Sequence, residues 1–287
     1  MSVLVGDVAG HLGAATAEAL LRHGRRVVGL VEPAPGADPA LRRARLGHLS
    51  LLQGFGFAAD ELAATGLPSD LAGVVQLIDT APAPAPAALA ARLARQLDLL
   101  ELCARLRPLP HLVQVVIRPS HGQRVAEEYL ARAHARLHGL PVTSLWLAEV
   151  YGPAGEPTQL CQRLAEAIHA GRPVLIPDQA PALRPLWLED AVAAILAALA
   201  QPPAAAPPFR RLELAGAEAI APDELALRLA TALGQAPPAG VRAIEAVLPD
   251  GDGDGPGFGA WSELGWQPEV GLAEGLARFA AWFRAHL

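Results

Sequence analysis

An apolar run, Val3-Leu4-Val5, stops at the turn Gly6-Asp7-Val8-Ala9-Gly10-His11-Leu12-Gly13, and a helix-forming stretch follows from Ala14. Strand, glycine turn, helix is the order by which a doubly wound sheet builds a phosphate cradle. Glycine lets the backbone approach the ligand, and the helix N-terminus offers free N–H groups to phosphate oxygens. Asp7 is out of keeping, because it sets a carboxylate inside a turn suited to anions.

Strand and helix patterns alternate after this turn. Strands are expected at 2–5, 26–31, 54–58, 73–78, 112–117 and 142–147, and helices at 14–23, 88–105 and 123–138. This alternation predicts an α/β fold, a Rossmann-like doubly wound parallel sheet covered on both faces. After Tyr151 the texture changes. Helices are expected at 159–170, 190–200, 222–233 and 272–286, with a proline-rich link at 201–208 and a short strand at 211–214. The chain therefore divides into a dinucleotide-binding domain, 1–150, and a smaller C-terminal α/β substrate lobe, 151–287, built onto it as one compact unit. Trp266 and Trp282 are expected to pack that lobe.

The 287 residues are 52% hydrophobic and 18% charged, enough for a substantial core. No apolar run has membrane-spanning length and no leader is recognisable, so the expected location is cytoplasmic, without a membrane partner. The net charge of −6 and the lack of a basic run argue against nucleic acid. Cys103 and Cys161 read as buried small hydrophobes, and the histidines lack metal spacing. Asp250-Gly251-Asp252-Gly253-Asp254 starts like a calcium loop, but Trp261 stands at the twelfth position, where a glutamate should close the cage. No metal is expected.

Three long segments carry a resemblance: RLHGLPVTSLWLAEVYGP at 136–153, PLWLEDAVAAILAAL at 185–199 and SELGWQPEVGLAEGL at 262–276. Together they resemble the extended short-chain dehydrogenase/reductase family, the NAD-dependent nucleotide-sugar epimerases and dehydratases. ARLGHLSLLQGFGF at 44–57 is similar to the uronic-acid 4-epimerase branch. The resemblance implies NAD as cofactor and a nucleotide sugar or other small molecule as ligand. It also implies dimers paired through helices 88–105 and 123–138, either with a second copy or with a related protein.

The family removes a proton from a sugar hydroxyl with a tyrosine whose pKa is lowered by a lysine four residues on. Aligned on the AEEY ending at 126–129, those positions fall on Pro119 and Gln123, and the serine equivalent falls on Ile117. All 23 basic residues are arginine, so the chain has no lysine. Proline and glutamine cannot take a proton at neutral pH. The family's Arg-Pro-x-Asn has become Trp146-Leu147-Ala148-Glu149, followed by the retained Tyr151-Gly152-Pro153. Tyr151, Arg184, Arg118 and Ser120 are the candidate substrate contacts.

The resemblance assigns the cofactor to Gly6, Gly10 and Gly13, with Glu32 as the acidic ribose partner, although the family's own acidic position falls on Val31. Facing a phosphate at about 4 Å, an unpaired Asp7 carboxylate is repelled by roughly 4 kcal/mol at an effective dielectric near 20. A helix N-terminus returns about 0.3–1 kcal/mol, and roughly 2 at best. The balance weighs against NAD unless Asp7 turns away or pairs with His11 or an arginine.

A replacement site beyond the strand ends would draw on Asp79, His121 and Glu149, with His121 as proton carrier and a carboxylate as its partner. The blander reading, which the sequence favours, makes them polar loop residues. The sequence thus predicts a pseudoenzyme of this family, a non-redox ligand- or partner-binding protein or a repurposed enzyme. Two alternatives stand beside it: an active NAD-dependent nucleotide-sugar epimerase or dehydratase with an unconventional base, and a structural subunit paired with an active relative.

Overall fold

β1 (Ser2–Val5) is buried along its whole length, as a strand covered on both faces must be. The computed structural model describes residues 1–32, 37–58, 67–78, 86–117, 126–177, 182–204, 206–236, 241–244 and 260–287. After β1 come α1 (His11–Arg22), β2 (Arg26–Gly29), α2 (Pro39–Ser50), β3 (Phe55–Phe57), β4 (Leu71–Ile78), α3 (Pro86–Arg105), β5 (His111–Ile117), α4 (Ala126–His138) and β6 (Val142–Leu147). The chain continues through β7 (Val150–Tyr151), α5 (Leu160–His169), β8 (Val174–Pro177), β9 (Leu186–Trp187), α6 (Leu188–Ala200), β10 (Phe209–Leu214), α7 (Pro222–Leu233), β11 (Val241–Ile244), α8 (Ala260–Leu264) and α9 (Leu272–Ala285).

Seven strands form one parallel sheet in the order β10-β6-β5-β4-β1-β2-β3. The chain order reverses between β1 and β4, and the glycine turn follows β1 at that point. An open sheet of this kind offers its ligand crevice at such a reversal. The α/β Rossmann-like expectation holds.

One face of the sheet packs against α1 and α6, where Val5, Val113, Leu145, Ala17 and Ile195 meet in a single core. The other face packs against α3 and α4 through Leu4, Val74, Leu112, Leu100 and Ala131. Each fully buried valine or leucine contributes about 1.5–3 kcal/mol. A second core collects residues from Tyr151 onward, on α5, α7 and α9. Trp282 packs against it, whereas Trp266 joins the main core instead.

α2 was not anticipated. Asp38 starts it by accepting a hydrogen bond from the Ala40 N–H at 2.7 Å, and Pro39 holds the first helical position. The helix buries only Leu49 fully, so it shows little apolar periodicity. Its other face carries Arg42 and Arg45 toward the glycine turn.

Candidate functional site: the glycine turn and its roof

The turn is held by its own backbone. Gly6 N–H donates to Val75 O at 2.8 Å, Val8 N–H to Leu30 O at 3.0 Å, and Gly10 N–H to Asp7 O at 2.8 Å. Gly10 stands at the N-cap of α1 in an extended conformation, and no side chain caps that helix. Its first N–H groups therefore point out of the turn, as anion binding requires. A β-carbon on Gly13 would overlap the Asp7 carbonyl, which fixes the close approach of α1 to β1. Gly6, Gly10, Gly13 and Glu32 all come together here.

Glu32 lies against this turn. Its Oε1 is 2.9 Å from where a β-carbon on Gly6 would sit, while Val31 is 48% exposed. A side chain at position 6 would collide with this carboxylate, so the glycine leaves room for it.

Asp7 has φ +41°, in the left-handed region. Its Oδ1 accepts from Arg42 Nη2 at 2.8 Å, and the same nitrogen donates to Glu32 O at 2.7 Å. Burial raises the Asp7 pKa, while the bond to Arg42 pulls it the other way. The repulsion expected from the sequence treated Asp7 as an unpaired charge. Asp7 is paired with Arg42 at contact distance, so the unpaired-charge argument against NAD does not apply as it stood.

A roof from the segment between β7 and α5 covers the turn. His11 Nε2 lies 2.8 Å from Pro153 O, and Gln159 Nε2 lies 3.1 Å from His11 Nδ1. A carbonyl only accepts, so Nε2 carries the proton, and Nδ1 accepts from Gln159. Burial lowers the His11 pKa to about 4, and the ring is neutral. Arg45 closes the roof by donating to Ala9 O at 3.0 Å and Ala154 O at 2.6 Å, and by pairing with Glu156. Ala154 is itself in the left-handed region, at φ +54°. Sequence reasoning missed Arg42 and Arg45. The only signal was their spacing of three residues on a helix opened by Asp38-Pro39.

The remaining candidates lie elsewhere. Glu149 faces α5, where its Oε1 accepts from the Leu160 N–H at 3.1 Å, and burial raises its pKa. Tyr151 is 1% exposed and meets Trp187 edge-on at 5.3 Å, and burial pushes its phenol up. Arg184 donates to Ala217 O at 2.8 Å, in the loop after β10. Tyr129, on α4, is 55% exposed. Asp79, Arg118, Ser120 and His121 lie outside the described residues, as do positions 119 and 123. The strands that lead to them are neighbours, with Ile78 paired to Val116 and Ile117 to Leu147.

Below those strand ends a polar row crosses the sheet. Gln76, Gln114, Ser144 and Arg211 stand in register on neighbouring strands. Glu128 accepts from Ser144 Oγ at 2.7 Å and Trp146 Nε1 at 2.5 Å, and Arg211 lies over the Trp146 ring at 4.0 Å. Glu127 pairs with Arg92 at 2.7 Å. Trp146 is therefore a buried ring held by a hydrogen bond, at the position where the resemblance implies an arginine. Among the described residues, no group of three His, Cys, Asp or Glu side chains could hold a metal ion. No described helix is long and apolar enough to cross a membrane.

Comparison with known proteins agrees with this geometry. The family described as NAD dependent epimerase/dehydratase matches residues 121–210. A probable UDP-glucuronate 4-epimerase of Rhizobium meliloti is 26% identical over all of this chain and 99% of its own length. Among solved structures, the UDP-glucuronic acid 4-epimerase of Bacillus cereus in complex with UDP-glucuronic acid and NAD superposes with a TM-score of 0.83. It is 18% identical, with both chains covered in full. The UDP-glucose 4-epimerase of Thermus thermophilus in complex with NAD gives 0.75 at 22% identity, again over both whole chains. Over residues 121–210 the chain thus matches the NAD dependent epimerase/dehydratase family, and over its whole length it shares the fold of these solved epimerases.

Proposed function

We propose that this chain binds NAD at the glycine turn and a nucleoside-diphosphate sugar beside it. On this reading it acts as a nucleotide-sugar epimerase or dehydratase whose proton carrier is not a tyrosine–lysine pair. One observation carries the reading: the Glu32 carboxylate lies on Gly6, next to the uncapped N-terminus of α1. Glu32 would accept from a ribose hydroxyl. The His11 and Leu12 N–H groups, with Arg42, would hold the pyrophosphate. Bound NAD supplies reversible hydride uptake from a sugar carbon.

The proton needs another carrier. The chain has no lysine, Tyr129 is exposed on α4 and Tyr151 is buried in the second core. Glu149 is engaged at the start of α5, which leaves His121, just past β5, as the first candidate. A second reading, binding without turnover, is favoured by the missing lysine. A second copy, or a related chain, would pair along α3 and α4, where Leu89 and Leu97 are each 38% exposed and Leu137 is 76% exposed.

Calorimetry with NAD and then UDP-glucuronic acid, followed by proton NMR of the incubated mixture, tests the proposal. Saturable NAD binding with appearance of the C4 epimer supports the enzyme, and loss of turnover in His121→Gln assigns the base. Binding without product selects the second reading. No saturable heat with NAD removes both. Light scattering of the purified protein gives the oligomeric state.

A further inference from the structure

Resting on the cofactor reading above, we propose that Asp7 is a built-in competitor for the phosphate cradle. In this arrangement NAD binds by exchange, with its pyrophosphate displacing the Asp7 carboxylate and taking over Arg42.

Three observations converge on this. First, a β-carbon on Gly10 would overlap Asp7 Oδ2, so the carboxylate fills the space that this glycine leaves open. That space, at the start of the helix, is the one a motif glycine keeps free for close approach of a pyrophosphate. Second, Arg42 holds the carboxylate there at 2.8 Å and is anchored independently on Glu32 O. The guanidinium therefore keeps its place when the carboxylate leaves. Third, Asp7 holds this position at φ +41°, a conformation that glycine adopts freely and other residues adopt under strain. The fold thus keeps an anion in the cradle at a backbone cost that glycine would avoid.

The chemistry is a trade of one carboxylate for a diphosphate on the same arginine, in the same space over Gly10. Both anions need that arginine and that space, so occupancy is exclusive. The doubly charged group gains more from Arg42 and from the α1 N–H groups. The exchange raises the dissociation constant without closing the site. Nothing in it involves the sugar or the proton carrier.

The test compares wild type with Asp7→Gly and Asp7→Asn by calorimetry, using NAD, ADP and inorganic pyrophosphate as separate probes. Asp7→Gly should bind all three at least tenfold tighter, and Asp7→Asn should fall between it and wild type. Asp7→Gly leaves Arg42 unneutralised, so its affinity should also fall more steeply with salt. A melting temperature of the free Asp7→Gly protein equal to or above wild type shows that the fold is intact. If that variant does not fold, Asp7→Asn carries the comparison. Equal or weaker binding by the variants, with wild type binding NAD, overturns the exchange and leaves the cofactor reading standing. No binding by any of the three proteins overturns both.

Discussion

The Tyr151 hydroxyl packs against the backbone of Gly275, at the place where a β-carbon would sit. Tyr151 ends β7 and Gly275 lies in the first turn of α9, so this contact seats the last helix of the chain on the second core. Gly275→Ala sets a methyl group into the phenol oxygen, and overpacking of this kind costs about 1–3 kcal/mol. Tyr151→Phe removes the nearer obstacle, the oxygen, and leaves the ring carbon at 2.9 Å. Urea denaturation should show Gly275→Ala clearly destabilised and the double variant recovering part of the loss. A double variant no better than Gly275→Ala would mean the hydroxyl is not the obstacle.

Asp190, in the first turn of α6, reaches across to the C-terminal segment. Its two carboxylate oxygens accept from the Glu269 N–H at 3.1 Å and the Val270 N–H at 3.0 Å. The residue is 5% exposed, and deleting it leaves both backbone donors without their carboxylate partner. Hydrogen bonds to a charged partner are worth about 1.5–3 kcal/mol. Asp190→Ala should lose at least that much in a denaturant titration, and hydrogen exchange at 269–272 should accelerate. Asp190→Asn keeps one acceptor and should lose less.

Arg45 ties the glycine turn to its roof, and its partner Glu156 is nearly as enclosed as it is, with side chains 11% and 14% exposed. Removing one member of such a pair leaves an uncompensated charge, at a cost of about 3–5 kcal/mol. Arg45→Met and Glu156→Gln should each destabilise strongly. The double variant should lose less than the sum, which a double-mutant cycle by chemical denaturation measures. Additive losses would show that the two side chains act independently.

The sheet and the glycine turn were legible because their signals are local. A run such as Leu112-Val113-Gln114-Val115-Val116-Ile117 can only be a strand covered on both faces, and the turn residues follow β1 without interruption. The site's wiring was not legible, because it joins distant residues. Arg42 and Asp7 are 35 positions apart, and Arg45 and Glu156 are 111 apart. The sequence could say that Asp7 needed an arginine, but not which of 23 would serve. α2 hid for a related reason: a helix that turns arginines to a site and buries one leucine has little apolar period to read. Tyr151 misled in the opposite way. Its tripeptide with Gly152 and Pro153 looks like a substrate contact, yet the ring belongs to the second core, and it is the Pro153 carbonyl that meets the glycine turn.

His11 makes the fold acid-sensitive, and the sign follows from its burial. Its pKa in the folded protein is about 4, below the 6.5 of a free imidazole. Between those values the unfolded chain binds a proton that the folded chain refuses. The contribution of His11 is therefore fully present above about pH 6.5 and is lost as pH falls toward 4. A shift of that size amounts to roughly 3 kcal/mol. His111, also lowered to about 4 by burial, acts in the same window. The raised pKa values of Asp7 and Glu149 work in the opposite direction, because those acids hold their protons more tightly in the fold. The clean measurement is therefore the difference between wild type and His11→Gln, whose amide can still donate to Pro153 O. Urea titrations at pH 7 and pH 4.5 should show wild type losing about 2–3 kcal/mol more than the variant on acidification. Parallel losses in the two proteins would mean that His11 is protonated in the folded state and that the roof over the glycine turn is held in some other way.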